Sequence, residues 1–272
     1  MSKAGGRELP SWNSARAPDG CRSRGFDAQR RGTCTMRFPL TDPSPVSKRV
    51  PPVCKSERVL VVCDLDGTLV DQVAAAQAWA AEFVEDWKLP DAAAESIALR
   101  LRERRPKGSL FQDIAEDWSL RVTGEDIAAA YRRRMPELVR CADADREALR
   151  RLRAAGWSLG IATNGTVANQ EGKIRATGLA SLVDAWVISE EVGVRKPDPE
   201  IFRILARRMG HPLEGWMVGD SLEHDVAGGA AAGLRTIWIA AGDRPLMKSY
   251  RPTLMARSTA EAADLILAPS TS

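Results

Sequence analysis

The sequence predicts an α/β protein with a three-layer core of parallel strands and helices, and three observations carry that prediction. Short continuous apolar runs mark buried strands, helical stretches closed by Gly alternate with them, and one purely helical block interrupts the alternation after the first strand. Val59, Leu60, Val61, Val62 and Cys63 form the first apolar run. Val73, Ala76, Ala80, Phe83, Val84 and Trp87 then recur at helical spacing until Pro90. Further helices are predicted over 92–105, 110–118 and 125–135, broken at Pro106–Gly108 and at Thr123–Gly124. Beyond them a helix over 144–155 leads into a strand over 157–163. A helix near 167–177 precedes the strand 185–189, and the helix 199–209 precedes the strand 216–219. Another helix ends at Gly233 before the strand 236–240, with an edge strand over 253–256 and a last helix over 259–267. Gly156, Gly178, Gly210 and Gly233 stand just past the helices, where the left-handed conformation costs glycine least. The fold class is therefore a Rossmann-like core over 58–72 and 143–272, with an all-helical insertion over 73–142.

Composition narrows the function classes. Hydrophobic residues are 44% of the 272, enough to build a core, and no stretch has the length of a membrane span. Residues 1–57 hold eleven Lys/Arg against five Asp/Glu, so the net charge of +3 belongs to this leading segment and the remainder is mildly acidic. A nucleic-acid-binding body has the opposite balance, so nucleic acid is not an expected partner. The leading segment is rich in Arg, Pro, Gly and Ser without an apolar period, and reads as disordered or loosely attached. Met36 is an alternative start that would remove most of it. Five cysteines, three of them in that segment, form neither a paired framework nor a zinc spacing, as expected of a cytoplasmic protein.

Four segments at predicted strand ends carry chemistry. Asp64-Leu65-Asp66-Gly67-Thr68 follows the first strand, where open α/β sheets place their ligands. Alternation sends Asp64 and Asp66 to one side, and Gly67 permits a sharp turn. Paired carboxylates suit a nucleophile or metal ligand beside a general acid/base, although a calcium loop or a plain turn also fits the segment alone. Thr163-Asn164-Gly165 ends the second strand, with a hydroxyl and an amide to bind a phosphoryl oxygen or simply to cap a helix. Lys196 stands before a Pro-initiated helix, placed either to neutralise phosphate or as a surface lysine. Gly219-Asp220 with Asp225 offers oxygen ligands for magnesium, or acidic caps on the next helix.

In this order the four segments resemble the motifs of the haloacid dehalogenase superfamily, in its phosphatase branch with an inserted helical cap, the phosphoglycolate phosphatase-like kind. The resemblance spans about 58–267 and implies Mg²⁺, an aspartyl-phosphate mechanism, and a cap matching 73–142. It implies Asp64 as nucleophile and metal ligand, and Asp66 as general acid/base and, through its carbonyl, metal ligand. Thr163 and Asn164 are similar to the phosphoryl-binding turn, Lys196 to the charge-stabilising lysine, Asp220 to a metal ligand and Asp225 to its supporting carboxylate. The expected substrate is a small phosphorylated metabolite. Arg104, Arg105 and Lys107, in the insertion, are in place to reach its anionic end or are solvated loop charges. Asp66 disfavours a dehalogenase, since halide leaves without a proton. A sugar phosphomutase shares the first motif, but as that branch is known it uses a cap histidine, and residues 73–142 contain none. A non-catalytic binding protein with a basic tail is the rival of another class, and the complete motif set argues against it.

Overall fold

Leu-Val-Val-Cys, buried at all four positions, forms the central strand β1 (Leu60–Cys63) of the computed structural model. The structure describes residues 59–103, 106–240 and 249–268. The leading segment 1–57, Arg104 and Arg105 lie outside the described residues. β1 pairs in parallel with β2 (Ser158–Thr163) on one side and β4 (Gly215–Gly219) on the other. β3 (Ala185–Ile188) extends the sheet beyond β2, while β5 (Arg235–Ile239) and β6 (Leu254–Ala256) extend it beyond β4. The result is one six-stranded parallel sheet in the order β3-β2-β1-β4-β5-β6. Growth of the sheet reverses between β1 and β4, and a crevice opens at the carboxyl ends of such strands.

Side-chain alternation makes the three layers. Val61 and Cys63 of β1 join Trp216 and Val218 of β4 in one apolar cluster, with Leu149 and Leu152 of α5 (Asp143–Ala154) and Ala263 and Ile266 of α10 (Thr259–Leu267). Leu60, Val62 and Met217 point the other way, onto Ile201, Phe202 and Leu205 of α8 (Glu200–Met209). Both faces of the sheet are thus covered, as strands apolar along their whole length require. The remaining core helices are α6 (Val167–Ala176), α7 (Ser189–Val192) and α9 (Gly228–Ala231).

Four helices fill the chain between β1 and α5: α1 (Gln72–Trp87), α2 (Ala92–Leu101), α3 (Lys107–Asp117) and α4 (Gly124–Leu138). Asp71 caps α1 by accepting from the Ala74 N–H at 2.9 Å. Thr123 and Asp126 form a reciprocal capping box at the start of α4. Trp79 is the hub of this block, 4.8 Å from the Phe83 ring and 5.2 Å from those of Phe111 and Tyr131. The block also touches the core closely: a Cβ added at Gly172 of α6 would stand 2.9 Å from Pro136 Cγ on α4.

Among the boundaries that differ from the sequence reading, α2 ends at Leu101 rather than at 105, and α3 begins at Lys107, inside the expected break, since Pro106 serves as its N-cap; two further differences have physical reasons. α4 runs through Pro136 rather than stopping before it; the proline falls in the last turn, so the helix forgoes one N–H bond there and ends two residues later at Leu138. The helix expected to end at Gly233 is instead a wide π turn, Leu222–Ala227, followed by the short α9. Such turns re-aim side chains at functional sites, and this one carries Asp225.

Gly215 begins β4 at φ +140, and a Cβ there would stand 1.8 Å from the Leu60 carbonyl oxygen. Gly215→Ala therefore forces β1 and β4 apart. Its expected cost is about 3 kcal/mol of folding stability, read as a lower denaturant midpoint. An unchanged midpoint would contradict this packing.

Candidate active site

The carboxyl ends of four strands bring the four sequence segments into one cavity of about 600 Å³. Asp64 follows β1, Thr163 ends β2, Lys196 lies beyond β3 in the loop between α7 and α8, and Asp220 follows β4. Asp64 is held where β1 ends by its N–H, which donates to the Val218 carbonyl at 2.9 Å. Gly67 turns the chain at φ +81, and a Cβ there would press on the Asp220 carboxylate at 3.1 Å. Glycine at 67 thus serves both the turn and the approach of two motifs.

At the floor of the cavity the Lys196 ammonium, 2% exposed, bridges two carboxylates: Asp64 Oδ1 at 2.6 Å and Asp225 Oδ1 at 2.7 Å. The other oxygen of Asp225 accepts from the Ser221 N–H at 2.9 Å, so this fully buried carboxylate is satisfied at both ends. A Cβ at Gly219 would stand 2.3 Å from Asp225 Oδ2, which leaves room there for glycine alone. Burial alone would push Lys196 towards its neutral form, but Asp225 and Asp64 together outweigh that and hold it charged above the usual lysine range. Burial raises the Asp64 carboxyl to about 7 despite the ammonium, with Asp225 adding to the rise. Asp225 is raised for the same first reason, burial.

Asn164 sets where that ammonium stands. Its side-chain amide donates to the Lys196 carbonyl at 3.0 Å and accepts from the Lys196 N–H at 2.9 Å. Asn164, which the sequence reading puts in a phosphoryl-binding turn, lines the cavity, and its side-chain amide is at the same time a strut between the end of β2 and the lysine loop. Thr163, 1% exposed, accepts from Gln170 Nε2 at 2.7 Å, which turns its own hydroxyl hydrogen away from that amide.

Asp66 lines the same cavity, and its carboxylate is held by two side chains of α6 that sequence reasoning missed. Lys173 donates to its two oxygens at 2.8 and 3.0 Å, and Gln170 to Oδ2 at 3.0 Å. Their signal lay in the spacing: Gln170, Lys173 and Ile174 fall on the buried face of α6, where two polar residues need partners.

From the insertion, Pro106 and Lys107 reach the cavity wall. Lys107 Nζ donates to the Leu101 carbonyl at 2.7 Å, closing the end of α2. His224 also lines the wall, whereas His211 bonds the Ser158 hydroxyl at 2.9 Å at the opposite, amino end of β2. Burial pushes the Cys63 thiol up to about 12, so it is a packing residue beside Asp64 and no nucleophile.

Asp64, Asp220 and Asp225 each offer a carboxylate oxygen, all within 4.8 Å of one another. Three carboxylates face a single ammonium, and an all-oxygen, net negative cluster of this kind fits a small hard divalent cation. With both Asp225 oxygens already bonded, Asp64 and Asp220 are the better direct ligands, with Asp225 behind them.

Residues 59–233 match the haloacid dehalogenase-like hydrolase family. The chain belongs to that family. In sequence it is similar to the pyrimidine 5′-nucleotidase YjjG of Escherichia coli K12, 41% identical over 110 residues, which are 40% of this chain and 49% of that protein. It is also similar to the phosphoserine phosphatase of Thermus thermophilus, 40% identical over 103 residues, 38% of this chain and 41% of that one. The match thus spans about half the length, or less, of these curated relatives. Among solved structures the HAD-hydrolase YfnB of Bacillus subtilis, bound to magnesium, has a TM-score of 0.67 at 24% identity. That likeness covers 78% of this chain and 100% of that one, and shows the fold. Among the described residues no helix is long and apolar enough to cross a membrane.

Burial holds the folded Asp64 carboxyl at about 7, against 3.8 for a solvated aspartate, so between these values the folded state binds more protons than the unfolded chain. Its contribution to stability is therefore full below about 4 and is lost as pH rises through about 7. A divalent cation reverses this by favouring the ionised form. Thermal unfolding with MgCl₂ or with EDTA should show a larger magnesium-induced rise in midpoint at about pH 8 than at about pH 5.5. Equal rises at both would contradict the assignment.

Proposed function

We propose that this chain is a Mg²⁺-dependent phosphatase that hydrolyses a small organic phosphomonoester through an aspartyl-phosphate on Asp64. One observation carries the reading: Asp64 meets the cavity with Oδ1 fixed by Lys196, while among the described residues nothing hydrogen-bonds its Oδ2. A carboxylate held at one oxygen and open at the other is an oriented nucleophile. Relatives of the family support the phosphate ester as substrate. They include a pyrimidine 5′-nucleotidase, a phosphoserine phosphatase and a glyceraldehyde 3-phosphate phosphatase.

In the proposed cycle Asp64 attacks phosphorus as the bond to the alcohol oxygen breaks. Asp66 gives that oxygen a proton, which leaves as part of the alcohol. Asp66 then takes a proton from the water that attacks the phosphorus of the aspartyl-phosphate, releasing inorganic phosphate and the Asp64 carboxylate. Lys196 and the Thr163 hydroxyl face the phosphoryl oxygens, where fixed charge and donors act best in a site shielded from water. Magnesium, when bound by Asp64, Asp220 and the Asp66 carbonyl, supplies further charge neutralisation at those oxygens. Residues 73–142 serve as a cap, contributing Pro106 and Lys107 to the cavity wall and so to substrate choice.

The mutase reading has no support from the histidines: neither is in 73–142, and His211 sits at the far end of the sheet. The test is phosphate release from a panel of small phosphomonoesters, with and without Mg²⁺. Asp64→Asn should abolish turnover while leaving the unfolding midpoint near wild type. Asp66→Asn should lower kcat on the order of 10²–10⁴-fold. Full activity of Asp64→Asn, or faster isomerisation of a sugar 1-phosphate than phosphate release, would overturn the reading.

A further inference from the structure

Among the described residues the buried cation outside the Lys196 cluster is Lys173, and the proposed cycle gives it no task. It is 1% exposed, and its three N–H groups are all engaged: two on the oxygens of Asp66, one on Gln72 Oε1 at 3.1 Å. Gln72 opens α1, the first helix of the insertion, and its Nε2 donates to the Tyr131 hydroxyl on α4 at 2.8 Å. A continuous polar chain thus runs from Tyr131 in the insertion, through Gln72 and Lys173, to Asp66 in the cavity.

The lysine is buried while the Asp66 side chain is 30% exposed and lines the cavity. The carboxylate is held at both oxygens, and Gln170 ties one of them to Thr163 as well. Two contacts on one planar group fix its rotation, which a single contact would leave loose.

We propose that Lys173 is a positioning residue that aims the Asp66 carboxylate at the leaving oxygen, with Gln72 and Tyr131 extending the tether to the helical insertion. This rests on the phosphatase reading, and the chemistry itself is unchanged: the proton still passes from Asp66 to the alcohol oxygen as the phosphorus–oxygen bond breaks. Lys173 touches neither substrate nor the reacting atoms. Its loss matters only where that proton is needed, since displacement of a catalytic group by about 1 Å costs on the order of a hundredfold.

The test therefore compares two esters with the full chain: an alkyl phosphate, whose alkoxide must be protonated, and p-nitrophenyl phosphate, whose leaving group departs as a stable anion. The parameter is kcat/KM, which runs only to the departure of the leaving group. For Lys173→Met we expect a loss on the order of tenfold to a hundredfold with the alkyl ester and no more than about threefold with the aryl ester. Tyr131→Phe, which leaves the ammonium in place, is the second variant in case the first does not fold. It should show the same selectivity to a smaller degree. Equal losses with both esters, no loss with either, or a gain with the alkyl ester would overturn the inference while wild-type activity upholds the phosphatase reading. A wild type that releases phosphate from neither ester would overturn that reading, and this inference with it.

Discussion

The site depends on one buried cation. Lys196 holds Asp64 and Asp225 at 2.6 and 2.7 Å in a region where either carboxylate alone would be driven to its neutral form. Removing Lys196 would leave two buried carboxylates without a counter-charge, a penalty far above that of a surface pair, whereas Asp64→Asn leaves the ammonium still paired with Asp225. Much of the surrounding chain serves to keep the cluster closed. The π turn aims Asp225, the Ser221 N–H satisfies its second oxygen, and the bare Cα of Gly219 makes space for it.

The arrangement of the sheet explains why residues so far apart in sequence meet here. Asp64 and Asp225 are separated by 161 positions, yet β1 and β4 are neighbours and both strands point their carboxyl ends at the same crevice. β2 and β3 deliver Thr163 and Lys196 from the other side. The insertion interrupts none of this register, because it leaves after β1 and returns before β2, where parallel strands need a long crossover in any case. The strand ends that line the cavity and the four helices α1 to α4 are therefore different stretches of chain, joined at Asp71 and Gln72 on one side and at the loop before α5 on the other.

Most of the sheet was legible in the sequence because buried parallel strands are apolar at consecutive positions, and Gly marked where the preceding helices stop. The residues of the cavity were legible for a related reason: a polar residue directly after such a strand has nowhere to go but its end. Lys173 and Gln170 escaped because they stand inside a helix whose polar and apolar positions mix. Only the partners across the fold, Asp66 and Thr163, reveal that these two point inward. Asn164 both lines the cavity and braces Lys196, and the second use was not legible because spacing alone does not say where a side-chain amide at a strand end points. The π turn was invisible for want of any residue that demands it; the need arises from where Asp225 must reach.

The Asn164 strut has a wider consequence. By gripping the main chain of Lys196 from both directions, it makes the location of a positive charge a property of another strand's end. A change at position 164 would thus act through the lysine, shifting the electrostatics of the cavity from another strand's end. The same strut fixes the main chain of the lysine while its neighbour Arg195 lines the cavity with a second positive charge.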